Sequence, residues 1–369
     1  MPMIEIKALV KTYSGPVEAL RGIDLRVEKG QIYALLGPNG AGKSSTMRIL
    51  ASLSQPTAGR VKLAGHDVFG PDGFGSDDFG GQGHRGAEAA RAALRRDMGY
   101  VAQASTSDET LTGRENLRMQ GRLFGMGGDD LARHVAHLLK LFDLDEAADR
   151  RTKGWSGGMR RRLDLAMGLI HGPQILILDE PSAGLDPQSR AVMWREIRHL
   201  ARDQGMTILF STHYLEEADQ LADRVAIIDQ GRIVAEGSPK ALKDRLEGDL
   251  ISIRFATAPD PQDLAERLAK AGLPTDPSSA DAALNANEQD QDRLDLRVAQ
   301  GSSILPLLIA ALDGLPLLDV SMTRPRLDDV YLQVTGRRYK AADGDREAKS
   351  SAASPDIADH SAPQDETVS

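Results

Sequence analysis

Gly37-Pro38-Asn39-Gly40-Ala41-Gly42-Lys43-Ser44-Ser45 has the residue types and spacing of a phosphate-cradling loop, G-x-x-x-x-G-K-[ST]. Gly37, Gly40 and Gly42 let the backbone take positive φ, where a Cβ would clash. The loop's N–H groups can then converge on an anion, backed by the positive end of a following helix dipole. Lys43 offers a point charge to outer phosphates, and the Ser44 hydroxyl is placed to bind Mg²⁺. The natural partner of such a loop is an apolar strand ending in a carboxylate. Ile175-Leu176-Ile177-Leu178 followed by Asp179-Glu180 fits that description. Asp179 would hold Mg²⁺ through water, and Glu180 would orient or polarise an attacking water. Read alone, the two acids also fit a solvated strand end. Gln103 and His213 close two further strands. Gln103 can reach a metal or water, or be simply exposed. His213 can contact a terminal phosphate or be structural.

The elements that must position these groups are legible around them. Ile32-Tyr-Ala-Leu-Leu36 precedes the phosphate loop as a buried strand, and Met47, Leu50 and Ala51 follow it at helical spacing. Ile175 to Leu178 and Thr207 to Ser211 read as strands covered on both faces. Ile4 to Leu9 and Ile23 to Val27 alternate apolar and polar residues, as strands with one wet face do. Asp229-Gln-Gly231 between Val225–Ile228 and Arg232–Ala235 is a hairpin signal. The apolar residues Leu131, Val135, Leu138, Leu139 and Phe142 fall on one helical face. Arg160 to Arg162 read as the solvated first turn of a helix that runs to Ile170.

Phe69-Gly70, Phe74-Gly75 and Phe79-Gly80 recur every five residues within about 68–86, a segment too Gly-rich to pack a core. It reads as a surface insertion, or as a docking loop whose Phe side chains bind a partner. An Ala/Arg helix is expected from Ala87 to Arg96. After about Gly248 the pattern resets into alternating strands and helices up to Gly336, a small α+β accessory domain. From Arg337 onward Ala, Ser, Asp, Glu and Pro dominate, and that tail is expected to be disordered.

Composition removes whole classes of function. The formal charge of −9 argues against nucleic acid as a partner. With no cysteine, disulfides, iron–sulfur clusters and thiolate zinc sites are excluded. No signal peptide is expected at Met1 to Val10. The longest apolar run, Ile304 to Leu312, is too short to span a bilayer and contains Pro306, so membrane work would need a second chain.

Taken in order, these stretches resemble the ATP-binding cassette (ABC) family from about Ile4 to Ala241. Carried over residue by residue, Tyr13 resembles the aromatic that stacks on adenine, and Gly37 to Ser45 the Walker A loop. Gln103 matches the Q-loop glutamine, a candidate metal contact with Ser44 and Asp179. Ser156-Gly157-Gly158-Met159 resembles the ABC signature, with Met159 where glutamine is commonest. Asp179 ends Walker B, Glu180 matches the catalytic carboxylate, Ser182 to Asp186 the D-loop and His213 the switch histidine. Ser-Gly-Gly-Met-Arg-Arg-Arg-Leu-Asp-Leu-Ala, and Leu327-Asp-Asp-Val-Tyr-Leu-Gln-Val-Thr-Gly336, look like the daunorubicin-resistance branch of drug exporters.

The resemblance implies an α/β fold of the P-loop NTPase class. A mixed core sheet, an antiparallel β subdomain and a helical subdomain at about 104–170 would occupy 1–247. The accessory domain would occupy 248–336, and the tail 337–369. It implies ATP and Mg²⁺ as ligands, and a homodimer that sandwiches two ATP molecules. Each chain's signature would close over the other's γ-phosphate. It further implies a separate transmembrane permease and a place on the cytoplasmic face of the membrane. The expected function is the ATPase subunit of a two-component exporter of drugs or other hydrophobic compounds. The alternative is a soluble ABC ATPase not coupled to transport. One cassette and no heptad run argue against translation- and repair-type members. An accessory domain with helices argues against importer ATPases, and intact Glu180 and His213 argue against a non-hydrolysing sensor.

Overall fold

The chain opens with two long antiparallel strands, β1 (Pro2–Thr12) and β2 (Glu18–Glu28). With β4 (Ala58–Leu63) and β5 (His66–Phe69) they form a sheet of order β2-β1-β4-β5. The computed structural model describes residues 2–15, 17–69, 93–246, 248–273, 282–284, 293–298 and 301–336. Most of the Phe-Gly stretch and the C-terminal tail lie outside these, as do residues 87–92 of the expected Ala/Arg helix; residues 93–97 are helical.

A six-stranded sheet of order β10-β9-β3-β8-β7-β6 is the centre of the molecule. Its strands are β3 (Ile32–Leu36), β6 (Met98–Val101), β7 (Ile175–Asp179), β8 (Thr207–Thr212), β9 (Arg224–Asp229) and β10 (Arg232–Gly237). All its pairings are parallel except the β9–β10 hairpin. That hairpin turns on Gln230 and Gly231 at φ 47° and 76°, the positive values that a two-residue turn of this hand requires.

The strand period of two divides the sheet's side chains between two cores. Tyr33 and Leu35 of β3 point into one, with Ile4, Ile6 and Val61 of the antiparallel sheet and Met47 and Leu50 of α1 (Lys43–Leu50). Ile32, Ala34 and Leu36 point into the other, beneath the helices α2 (Gly113–Leu123), α3 (Gly128–Leu141), α4 (Gly157–Leu169) and α5 (Pro187–Arg202). α2 starts on a capping box, in which Thr112 and Glu115 satisfy each other's backbone N–H.

Two short helices, α6 (Leu215–Leu221) and α7 (Pro239–Lys243), complete this part. Beyond it β11 (Asp249–Phe255), β12 (Ala282–Leu284), β13 (Arg293–Val298) and β14 (Leu317–Thr323) form an antiparallel sheet of order β12-β13-β11-β14. α8 (Pro261–Lys270) and α9 (Gly301–Ala311) supply Leu264, Leu268 and Leu308 to its separate core.

Two sequence readings are corrected here. Phe69 does not begin the insertion: it is the last residue of β5, pairs with Val61 and is 4% exposed. The Phe-Gly repetition hides the strand end because β5 continues straight into it. α10 (Leu327–Thr335), read as the close of the accessory unit, buries Leu327, Val330 and Tyr331 in the core of the first part. It packs against α6, α7 and β10. Its apolar face matches the gap those elements leave, while the C-terminal sheet is already covered by α8 and α9.

Candidate active site

The ends of β3, β6, β7 and β8 meet at one edge of the central sheet, where ligands collect in open parallel sheets. Gly37 leaves β3 with its N–H on the Thr212 carbonyl of β8, 3.2 Å away. Gly42 caps α1 at φ 111°, and a Cβ there would stand 2.6 Å from the Ala19 carbonyl oxygen. Gly40 also takes a positive φ, 81°, but Gly37 does not. Gly37 is required for a different reason: its Cβ would sit 2.3 Å from the Ile228 carbonyl oxygen. Between Gly37 and Gly42, Pro38 and Ala41 close a turn through the Ala41 N–H to the Pro38 carbonyl, 3.2 Å, around Asn39.

Lys43 turns back into this loop. Its Nζ donates to the carbonyls of Gly37 and Pro38 at 2.8 and 3.1 Å and pairs with Glu180 Oε1 at 3.2 Å. The other Glu180 oxygen, Oε2, accepts from Gln103 Nε2 at 3.1 Å and lies 3.1 Å from His213 Nδ1. Burial pushes the Glu180 carboxyl up, but His213 and the Lys43 charge outweigh it and hold it below its ordinary value. Burial pushes the Lys43 ammonium down, with Glu180 opposing. The pair is therefore a buried carboxylate and cation whose mutual contact offsets part of the cost of desolvation. A terminal phosphate would have to take Lys43 over from Glu180, leaving that carboxylate to a water.

Asp179, one residue back, faces the other way. Its Oδ1 accepts from Ser44 at 3.3 Å and from Ser211 at 2.6 Å. Ser211 Oγ in turn accepts from the Glu180 N–H at 2.9 Å, so one hydroxyl braces both acids. Ser44 and Asp179 are hard oxygen donors at the mouth of the phosphate loop, as Mg²⁺ prefers. Among the described residues no group of three or more acids or histidines could hold a metal on its own. That donor set suits an ion carried in with a nucleotide. Gln103 uses its amide nitrogen on Glu180, so its carbonyl oxygen is the half a cation would take.

The Tyr13 hydroxyl lies 3.1 Å from Ser45 Oγ, so the aromatic stands beside the far end of the phosphate loop. Ser156 is elsewhere. It caps α4, its Oγ accepting from the Met159 N–H at 3.2 Å. Among the described residues no hydrogen bond joins Ser156, Gly157 or Gly158 to the Gly37–Ser45 loop of the same chain. A Cβ on Gly158 would meet Ser189 Oγ at 2.6 Å, in the first turn of α5 after the Ser182–Asp186 loop. Met159 packs partly against the larger core, and Trp155 is buried beneath Gly113.

Comparison with known proteins agrees with this geometry. A family profile described as ABC transporter matches residues 20–183. The chain is 38% identical over 343 residues to the daunorubicin resistance ATP-binding protein DrrA3 of Streptomyces coeruleorubidus, covering 92% of this chain and 98% of that one. The chain belongs to the ABC transporter family. It is also 36% identical to a Nod factor export ATP-binding protein I of Burkholderia orbicola, over 91% of this chain and 98% of that one. A post-hydrolysis dimer of the ATP-binding cassette MJ0796 with ADP and Pi superimposes with a TM-score of 0.55. The identity there is 25%, over 64% of this chain and 98% of that one. The chain is thus an ABC ATPase, and its relatives serve drug resistance and export.

Two features of this ABC ATPase escaped the sequence. In the sequence Ser211 is only the end of a covered strand, with no role for its hydroxyl. Arg161, read as part of a solvated turn, is buried. Its guanidinium reaches the carbonyls of Pro181 and Ala102, both at 2.6 Å, and of Asp179 and Glu180 at 3.2 and 3.3 Å. Helical spacing held the clue: Arg161 shares a face with Asp164, Leu165 and Gly168, all buried.

Proposed function

We propose that this ABC ATPase is the nucleotide-hydrolysing subunit of a two-component exporter. It would work on the cytoplasmic face of the membrane with a separate permease, and the cargo would be a drug-like or other hydrophobic compound. The observation that carries the hydrolytic reading is the convergence of Lys43, Gln103 and His213 on the single carboxylate of Glu180. The names of the relatives support the exporter reading. Among the described residues no helix is long and apolar enough to cross a membrane, consistent with a permease on another chain.

In this reading the N–H groups of Gly40 to Ser45 bind the phosphates and Tyr13 bears on the adenine. Lys43 exchanges Glu180 for the terminal phosphate. Glu180, kept ionised by its neighbours, accepts a hydrogen bond from the attacking water, and His213 contacts the γ-phosphate from the opposite side. Mg²⁺ held by Ser44 and, through water, by Asp179 would neutralise charge on the β- and γ-phosphates. Gln103 would report the state of that ion to the loop that follows it.

Ser156, Gly157 and Gly158 form a second anion cradle at the N-terminus of α4. With no bond to their own phosphate loop, they are available to a second copy. Two chains would pair head to tail and enclose two ATP molecules, and hydrolysis would remove the shared phosphate and open the pair. Glu180→Gln should therefore bind ATP, hydrolyse at least about a hundredfold more slowly, and accumulate as a dimer in size-exclusion chromatography with ATP and Mg²⁺. A variant that stays monomeric would remove the sandwich from this account. The transport half is tested by co-expression with a six-span membrane protein and measurement of doxorubicin efflux. Full ATPase activity with no membrane association would favour a cassette uncoupled from transport.

A further inference from the structure

Glu180 has an unusual backbone. Its φ is 46°, in the left-handed region where a side chain with a Cβ is disfavoured. Some neighbour must over-determine a peptide held in that region. Ser211 holds the Glu180 N–H, and the carbonyls around it are held by a second group. Arg161 spreads its fork over the carbonyls of Asp179, Glu180 and Pro181, one on either side of the strained residue and the residue itself. Arginine alone offers five N–H donors in a fixed plane, so the geometry of three consecutive carbonyls can be imposed by one group.

The same guanidinium also holds the loop of Gln103. Its Nη1 donates to the Ala102 carbonyl at 2.6 Å and approaches that of Gln103 at 3.5 Å. One turn along α4, the buried Asp164 takes hold of that loop further on. Its Oδ1 accepts from the Ser105 hydroxyl at 3.1 Å and from the Thr106 N–H at 3.0 Å. So two ionisable side chains of one helix clamp the Gln103 loop on both sides. That helix begins at Ser156.

We infer that Arg161 is a positioning residue for hydrolysis, setting the Glu180 carboxylate and the Gln103 amide against each other from the helix that carries Ser156. It touches no reacting atom. It would act by keeping the water-orienting carboxylate at its working distance, where displacement by an ångström can cost about a hundredfold in rate. Because the three pieces share one guanidinium, a shift of α4 moves both strand ends with it. The inference rests on the reading of Glu180 as the hydrolytic carboxylate.

The test compares purified Arg161→Lys, Arg161→Ala and Glu180→Gln with the wild type in ATP affinity, kcat, KM and melting temperature. Arg161→Lys keeps the charge and loses the fork. It should bind ATP within about twofold of wild type while kcat falls about 10- to 100-fold. Arg161→Ala should fall further and regain part of its kcat when guanidinium is added below denaturing concentration. A wild-type kcat in Arg161→Lys would overturn the inference while leaving the hydrolytic reading intact if Glu180→Gln is inactive. Wild-type turnover in Glu180→Gln would overturn both. Affinity and kcat falling together, or both variants failing to fold even with guanidinium, would make Arg161 a folding group and sink the positioning role.

Discussion

At the scale of single residues, the site is a contest for Lys43 and Glu180. Each is buried, and each has the other as an oppositely charged partner. Lys43→Ala should lower ATP affinity by about 10- to 100-fold, the worth of one charged hydrogen bond. Unchanged affinity by calorimetry would remove Lys43 from the phosphate site. Acid stability follows from the direction in which Glu180 titrates. Its carboxyl ionises below the ordinary 4.5 when folded, so its contribution is complete above that value. It is lost as pH falls through the folded value. Melting temperature should thus drop more steeply on acidification below about 4.5 in the wild type than in Glu180→Gln; parallel curves would contradict the contacts assigned to this carboxylate. Ser211→Ala removes the hydroxyl that serves Asp179 and the Glu180 N–H together. It should destabilise by about 1–3 kcal/mol and raise the Mg²⁺ concentration needed for half-maximal ATPase activity. An unaltered Mg²⁺ requirement would separate Ser211 from the metal-binding role proposed for Asp179.

At the scale of elements, the sequence was informative wherever one physical demand acted alone. Ile32–Leu36 and Ile175–Leu178 are continuously apolar because both faces are covered, and their shortness between turn residues marks them as strands. The hairpin at Asp229-Gln-Gly231 was legible because its turn needs positive φ. The phosphate loop and the strand-end acids could be read because phosphate binding tolerates few residue types. Legibility failed where a polar residue serves the interior. Arg161 sits between two other arginines, and a run of like charge normally marks a wet face; its helical spacing to Leu165 and Gly168 was the one faint sign, and the long-range carbonyls it meets appear only in the structure. Phe69 failed for the opposite reason, since a five-residue repetition masked the end of β5. The two halves of that stretch should now behave differently. Phe69→Ala should cost about 3–5 kcal/mol by leaving a cavity beneath the antiparallel sheet. Deleting residues 71–86 should leave basal ATP hydrolysis close to wild type, because no residue assigned to phosphate or metal lies there. Thermal melts and steady-state ATPase rates of the two variants check this, and a folded deletion without activity would tie the stretch to the site.

At the scale of the whole molecule, the chain returns to its first part after building the C-terminal sheet. α10 crosses back to lie on α6 and α7, and the Tyr331 hydroxyl bonds Asp229 Oδ1 at 3.4 Å, at the end of β9. α6 is the element through which this contact can be felt at the site. Its fully buried Glu217 accepts from Trp194 Nε1 at 2.9 Å and also from the Thr212 hydroxyl, one residue before His213. Tyr214, one residue after, lies tilted against the His213 ring with centroids 4.1 Å apart, and the Arg190 guanidinium of α5 sits over the Tyr214 ring, 4.4 Å from its centroid. His213 is therefore set by the placement of α6, and α10 is part of what places it. Ending the chain at residue 326 exposes the surface that Leu327, Val330 and Tyr331 cover. Burial of three such side chains is worth on the order of 5 kcal/mol, so the truncated chain should melt well below the full-length protein. Where it remains folded, its ATP affinity should hold, because the phosphate loop rests on β3, β8 and α1. Its kcat should fall, because His213, although it follows the end of β8, is also held through the α6 contacts of Thr212 and Tyr214. A truncated chain with unchanged melting temperature would mean that α10 leaves this surface in solution. An equal loss of affinity and turnover would mean that it supports the sheet as a whole rather than the histidine.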